Sequence, residues 1–276
     1  MWYLLAASLA TLSFNRYLAY CLLSLASFIG WREKVLELPA LIFIAIVVIG
    51  GALVALKRDD SAQPRYWLEG LCVAIAVALV LHLLPGFNNP KVLDAITAGP
   101  QSMPFSMYFN FDKALVPFVL LTAASTLFVT KPASKAGAVR WGILVLSVPA
   151  LLLLAVALGG LSVETHAPSW FAQFALANVF FVSLAEEALF RGYLQQRLAQ
   201  ICHPIAALLI ASVIFGLMHY AGGVLLIIFA TLAGVIYGLA WMWSGRLWVA
   251  TLFHFGFNCV HVLFFTYPVV NTHTVL

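Results

Sequence analysis

Residues 38–56 run for 19 positions without a single charged side chain. A helix spanning a bilayer needs ~20 mostly apolar residues, because each adds ~1.5 Å across a ~30 Å hydrocarbon core. Similar runs recur at about 66–85, 114–130, 141–160, 204–220, 222–243 and 247–268. Their length and continuity exclude the weak alternation of a membrane β-barrel. Only 9% of the residues are charged against about 25% in a soluble domain, so a water-soluble fold of this size is excluded too. The expected fold is all-α, a polytopic membrane bundle of about eight or nine spans.

Residues 1–168 are expected to supply four or five of these spans. Residues 2–30 are broken by Asn15-Arg16 and read equally well as one tilted span or as two short pieces. Residues 169–268 form the expected catalytic core, and 269–276 a tail. Segment 169–198 begins apolar and then carries Glu186, Glu187, Arg191 and Arg197. Its end has an amphipathic pattern, so a spanning helix that turns interfacial near Gly192 is expected. Loop 86–113 is the longest polar connection. It is expected to be a solvated loop, with an approach of Asp112-Lys113 to a site as the lesser alternative.

The net charge of +4 is spread over short loops with no basic run, so nucleic-acid binding is not expected. Instead it reads as a topology signal. Lys57, Arg58, Arg65, Lys131, Lys135, Arg140, Arg197 and Arg246 fall on one side under strict alternation, the cytoplasmic one. Arg32 and Lys34 fall on the other side and fit the rule poorly. Cys21, Cys72, Cys202 and Cys259 show no CxxC spacing and read as small buried hydrophobes. The N-terminus lacks the basic region of a signal peptide and is expected to stay in the mature chain.

Ionisable groups inside spans are costly and mark function by default. Here they sit at a common depth. Counting from one membrane side, helix rise puts Glu186 at ~16 Å, His219 at ~23 Å, His254 at ~11 Å and Asn258 at ~17 Å. Glu187 and Arg191 stand four apart, the spacing of an ion pair on one helix face. Glu186 has Phe190 at that spacing and therefore no local cation, which leaves it as the free carboxylate. Phe215 and His219 share a face, with Gly216 and Gly222-Gly223 nearby to admit a close helix neighbour. His254 and Asn258 also share a face and could donate two hydrogen bonds to one oxygen, as an oxyanion requires. His261 follows on the same stripe and reads as packing or support.

The runs Glu186-Glu187-Ala188-Leu189-Phe190-Arg191, Phe215-Gly216-Leu217-Met218-His219 and His254-Phe255-Gly256-Phe257-Asn258 resemble the EExxxR, FxxxH and HxxxN elements of the CPBP family. That family includes the type II CAAX prenyl proteases and bacteriocin-processing or abortive-infection relatives. The resemblance covers about residues 169–262. It implies an intramembrane glutamic-type endopeptidase in which Glu186 and His219 activate a water. His254 and Asn258 then form the oxyanion hole, while Glu187, Arg191 and Phe215 complete the motif. It implies no metal and no other cofactor, and a cavity open toward the cytoplasm.

The expected partners are the bilayer and a membrane-anchored or lipidated peptide substrate, with no oligomeric state indicated. The expected location is a membrane, taken as the bacterial inner one. Three rival readings are a non-catalytic immunity or scaffold protein, a zinc peptidase, and a transporter using buried acids as a proton relay.

Overall fold

The computed structural model describes residues 1–56 and 66–271. The described chain is mostly helical. Five helices are long and apolar enough to cross a membrane: α3 (Leu38–Leu56), α7 (Ala138–Ala157), α8 (Phe171–Leu198), α10 (Gly223–Ser244, entered by a 3-10 turn from Tyr220) and α11 (Leu247–Phe264). Thus five spans are supported where eight or nine were expected. The difference lies in short apolar helices: α1 (Trp2–Thr11), α4 (Tyr66–Val80) and α9 (Pro204–Leu217) rise only about 15–22 Å at 1.5 Å per residue.

Segment 114–130 is not a span. It follows the four-residue α5 (Phe111–Ala114) and contains the eight-residue α6 (Val116–Ala123). Val116, Phe118 and Leu120 are wholly buried by protein. The apolar run therefore reflects a core position rather than contact with lipid.

Residues 2–30 are two helices. Asn15 ends the break by capping α2 (Arg16–Arg32), its side chain accepting from Leu18 N at 3.0 Å. The pair folds back on itself, and Ser8 Oγ donates to the Ala19 carbonyl at 2.7 Å.

Loop 86–113 contains the one departure from an all-α fold among the described residues. Strands β1 (Lys91–Ile96) and β2 (Phe105–Tyr108) pair antiparallel, with Lys91 opposite Tyr108 and Phe105 opposite Ile96. The hairpin is anchored rather than solvated: Phe105 packs edge-on against Trp170 and Tyr267.

The basic turns gather at one end of the bundle. Thr130 N donates to the Gly245 carbonyl, Leu247 N to that of Phe128, and Arg197 pairs with Glu69 at 2.6 Å. Lys57, Arg58 and Arg65 lie outside the described residues. Residues 99–103, 160–166 and 265–271 gather at the opposite end, through bonds such as Glu164 N to the Phe264 carbonyl and Met103 N to that of Val269.

Candidate functional site

Helix α8 runs unbroken for 28 residues. The expected turn at Gly192 does not occur. Gly192 is buried against Leu127, and a Cβ there would come within 2.8 Å of Leu127 Cδ1. The polar residues that gave the amphipathic pattern are used inside the protein. Arg191 is fully buried, and Gln195 donates to the Gly238 carbonyl at 3.2 Å. The helix is not uniform, however. Residues Ala177–Ser183 and Ala188–Gln195 are π-type, and between them lies one α turn, Leu184–Glu187. Such π stretches favour functional sites because they re-aim side chains. Both glutamates stand on the α turn between them.

Glu187 Oε1 accepts from Arg191 Nη1 at 2.8 Å, as the four-residue spacing predicts. Both side chains have no exposure. Two charges so deeply buried persist only when further polar contacts replace water. Arg191 Nη2 donates to the Gly234 carbonyl at 2.9 Å, and the guanidinium carbon lies 4.5 Å from the Phe215 ring centre. Gly234 eases this approach, since a Cβ there would sit a tight 3.1 Å from Arg191 Nη2. The same Glu187 Oε1 also contacts His254 Nδ1 at 2.9 Å. Glu187 is therefore more than the local ion-pair partner that the sequence indicated: it holds a candidate site histidine.

Aromatic walls complete the setting of both histidines. His254 stacks on Tyr237 with ring centres 4.6 Å apart and planes 11° from parallel. Phe215 meets His254 edge-on at 5.8 Å and His219 at 4.9 Å. The phenylalanine of FxxxH thus touches both histidines and the arginine. His219 Nδ1 lies 2.9 Å from the Phe215 carbonyl, at the last turn of α9. A carbonyl only accepts, so Nδ1 donates, and the Nε2 of a neutral ring carries the lone pair. For His254, the arginine-paired Glu187 oxygen accepts from Nδ1 in the same way.

Gly216 is used as expected, because a Cβ there would strike Thr231 on α10. Gly222-Gly223 serves the chain reversal instead, with Gly223 at φ +83°.

Asn258 Nδ2 donates to Asn178 Oδ1 at 3.1 Å, and Ser183 Oγ donates to the same oxygen at 3.1 Å. Asn178 and Ser183 are five apart, the π-helix spacing. Sequence reasoning missed Asn178 because it assumed α periodicity throughout. The Ser183 hydroxyl is engaged in this bond. His261, on the stripe of His254, meets the Thr266 carbonyl at 3.1 Å, beyond the end of α11.

Glu186 lies close enough to His254 and His219 to interact with both electrostatically, and its nearest cation is Lys113, with Nζ 3.4 Å from Oε1. The glutamate and lysine side chains are only 14% and 16% exposed. The loop expected to be solvated therefore reaches the site, by way of α5. Asp112 turns away from it, bonding to His82 Nδ1 at 2.7 Å and Asn89 Nδ2 at 2.9 Å. Thus Glu186, Glu187, Arg191, Phe215, His219 and His254 converge from α8, α9 and α11, while α10 adds Tyr237 and the Gly234 carbonyl; Asn258, one turn beyond His254 on α11, is bonded to Asn178. No group of three or more His, Cys, Asp and Glu side chains stands close enough to hold a metal ion among the described residues.

Residues 168–260 match the family model described as type II CAAX prenyl endopeptidase Rce1-like. Comparisons with curated proteins and with solved structures gave no match. The matched stretch starts just before α8 and ends within α11, so it includes both glutamates, Arg191, both histidines and Asn258 but not Lys113. The C-terminal third of the chain is thus similar to the Rce1-like, type II CAAX prenyl endopeptidases, a family of peptidases.

Proposed function

We propose that the chain is an intramembrane endopeptidase that hydrolyses a peptide bond by direct attack of water, with Glu186 as general base. The observation that carries this reading is a carboxylate with no hydrogen bond to its own helix, set beside two histidines whose Nδ1 atoms are already engaged. Each histidine thereby presents Nε2 as its free ring nitrogen.

In this mechanism the attacking water gives its proton to Glu186 and a hydrogen bond to His219 Nε2. The oxygen–carbon bond forms and the carbonyl oxygen becomes an oxyanion. Asn258 donates to it through the amide hydrogen not used by Asn178. His254 donates through Nε2 when its ring carries both protons, a state that Glu187 offsets from the other side. Glu186 then returns the proton to the leaving nitrogen. The carbon–nitrogen bond breaks, giving a carboxylic acid and an amine. Phe215, Tyr237 and Arg191 hold the histidines and Glu187 in place, and the reaction uses no metal or other cofactor.

A peptide can reach side chains at this depth only if it is itself membrane-embedded or lipid-anchored. The substrate class is therefore a membrane-anchored or lipidated peptide in the bilayer that holds the enzyme, taken as a bacterial inner membrane. The test is reconstitution of wild-type and Glu186→Gln protein with prenylated and single-span peptides. Cleavage by wild type alone supports the reading. Equal cleavage by a folded Glu186→Gln variant rules out Glu186 as the base.

A further inference from the structure

The three motif elements bring an unequal set of charges into the protein interior. Glu186 and Glu187 are two carboxylates, and Arg191 is the single cation among them, already bonded to Glu187. One buried negative charge is left over, on Glu186. An uncompensated carboxylate in a low-dielectric interior is costly enough to take up a proton instead, and a protonated carboxyl is no base. The charged and titratable groups facing Glu186 are Lys113 on α5, His254 on α11, His219 beyond α9 and Tyr237 on α10, with Glu187 and Arg191 on its own helix. Of these, Lys113 is the one permanent cation not already spent on Glu187.

Lys113 is also held in place independently of Glu186. The preceding residue, Asp112, is 1% exposed and bonds to His82 and Asn89. Asp112 Oδ1 accepts from the backbone N of Lys113 at 2.8 Å, and Asn89 Oδ1 accepts from that of Phe111 at 2.8 Å. These bonds pin the short helix α5 over α8. The 3.4 Å approach is long for a charge-assisted bond, which fits a cation that balances the carboxylate without covering it.

We infer that Lys113 is a positioning residue for Glu186: it holds the carboxylate ionised and turned into the site, so the N-terminal part of the chain completes the charge balance of the C-terminal domain. The inference deepens the peptidase reading but makes a claim about ionisation that stands without a substrate. With Lys113 in place the four permanent charges cancel. A second proton on His254 then leaves one positive charge in the site, the complement of an oxyanion.

Infrared difference spectroscopy on purified protein in detergent near neutral pH tests this. Subtracting the Glu186→Gln spectrum isolates the carboxyl band of Glu186. The expected band is that of an ionised carboxylate in wild type and in Lys113→Arg, and of a protonated carboxylic acid in Lys113→Met. An ionised band of equal strength in Lys113→Met would overturn the inference. Should Lys113→Met fail to fold, a dipolar contact between lysine 15Nζ and glutamate 13Cδ in wild-type protein, lost in Glu186→Gln, carries the test, and its absence refutes the pairing. If neither peptide class is cleaved while the infrared result holds, the peptidase reading falls and the charge pairing remains.

Discussion

Helices α3 and α8 are both long enough to cross a bilayer, yet they meet different surroundings. In its most apolar stretch α3 is 22% buried by protein and α8 is 61% buried. Helix α3 turns side chains such as Ile42, Ile46 and Ile49 outward, and it carries no charge. Helix α8 carries two glutamates and Arg191 where protein surrounds it: α5 and α6 on one side, α9, α10 and α11 on the others. Apolar residues in α3 answer to lipid. Charged residues in α8 answer to partners, and each partner is a separate side chain that must be in place.

That contrast makes the effects of substitution unequal. The largest expected effect is on chemistry. Glu186→Gln should lower turnover by about 10²–10⁴-fold, the usual contribution of a general base, with the folded state intact by unfolding assays in detergent. On stability, Arg191→Leu should cost about 3–5 kcal/mol, because it strands the buried Glu187 charge. Ile46→Ala on α3, where the side chain is 64% exposed, should stay within about 0.5 kcal/mol. Equal losses in a denaturant titration of the two variants would break the contrast. Replacing Tyr237 with Leu removes the ring stacked on His254. Turnover should fall roughly 2- to 12-fold, the equivalent of about 0.5–1.5 kcal/mol, while Tyr237→Phe stays near wild type.

The smallest expected effect lies outside the membrane. Burial works to raise the Glu164 carboxyl. It is outweighed by hydrogen bonds from Gln101 N and Ser102 and by His166, which together hold the group below its ordinary value of 4.5. A depressed value means that the bonded carboxylate stabilises the fold above the unfolded value and loses that contribution as pH falls through the folded one. Hydrogen exchange at residues 99–103 should therefore stay slow at neutral pH and quicken only below about pH 4.5. In Glu164→Gln it should be faster already at neutral pH.

Much of α8 could be read from spacing alone. The Glu187–Arg191 pair follows from four-residue periodicity, and helix rise already brought His219 and His254 level with Glu186, with which both interact. What remained illegible shares a physical cause: it depends on contacts distant in sequence or on a backbone that departs from α geometry. Lys113 and Glu186 are separated by 73 positions, and nothing local to either points to the other. Asn178 meets Ser183 only because the intervening backbone is π-type. The end of α8 read as turning interfacial near Gly192, but its polar residues are spent inside the protein and Gly192 packs against Leu127. The apolar run 114–130 read as a span because hydrophobicity does not distinguish burial in lipid from burial in protein.

The central claim is that the buried cluster around Glu186 cleaves a peptide in the membrane. Comparative proteomics of membrane fractions tests it most directly, using cells that produce either the wild-type chain or Glu186→Gln at equal abundance. The expected result is at least one membrane-anchored or lipidated protein that is shortened only with wild type, its new terminus lying beside the lipid-embedded or lipidated segment. Identical termini throughout both membrane proteomes would contradict the account.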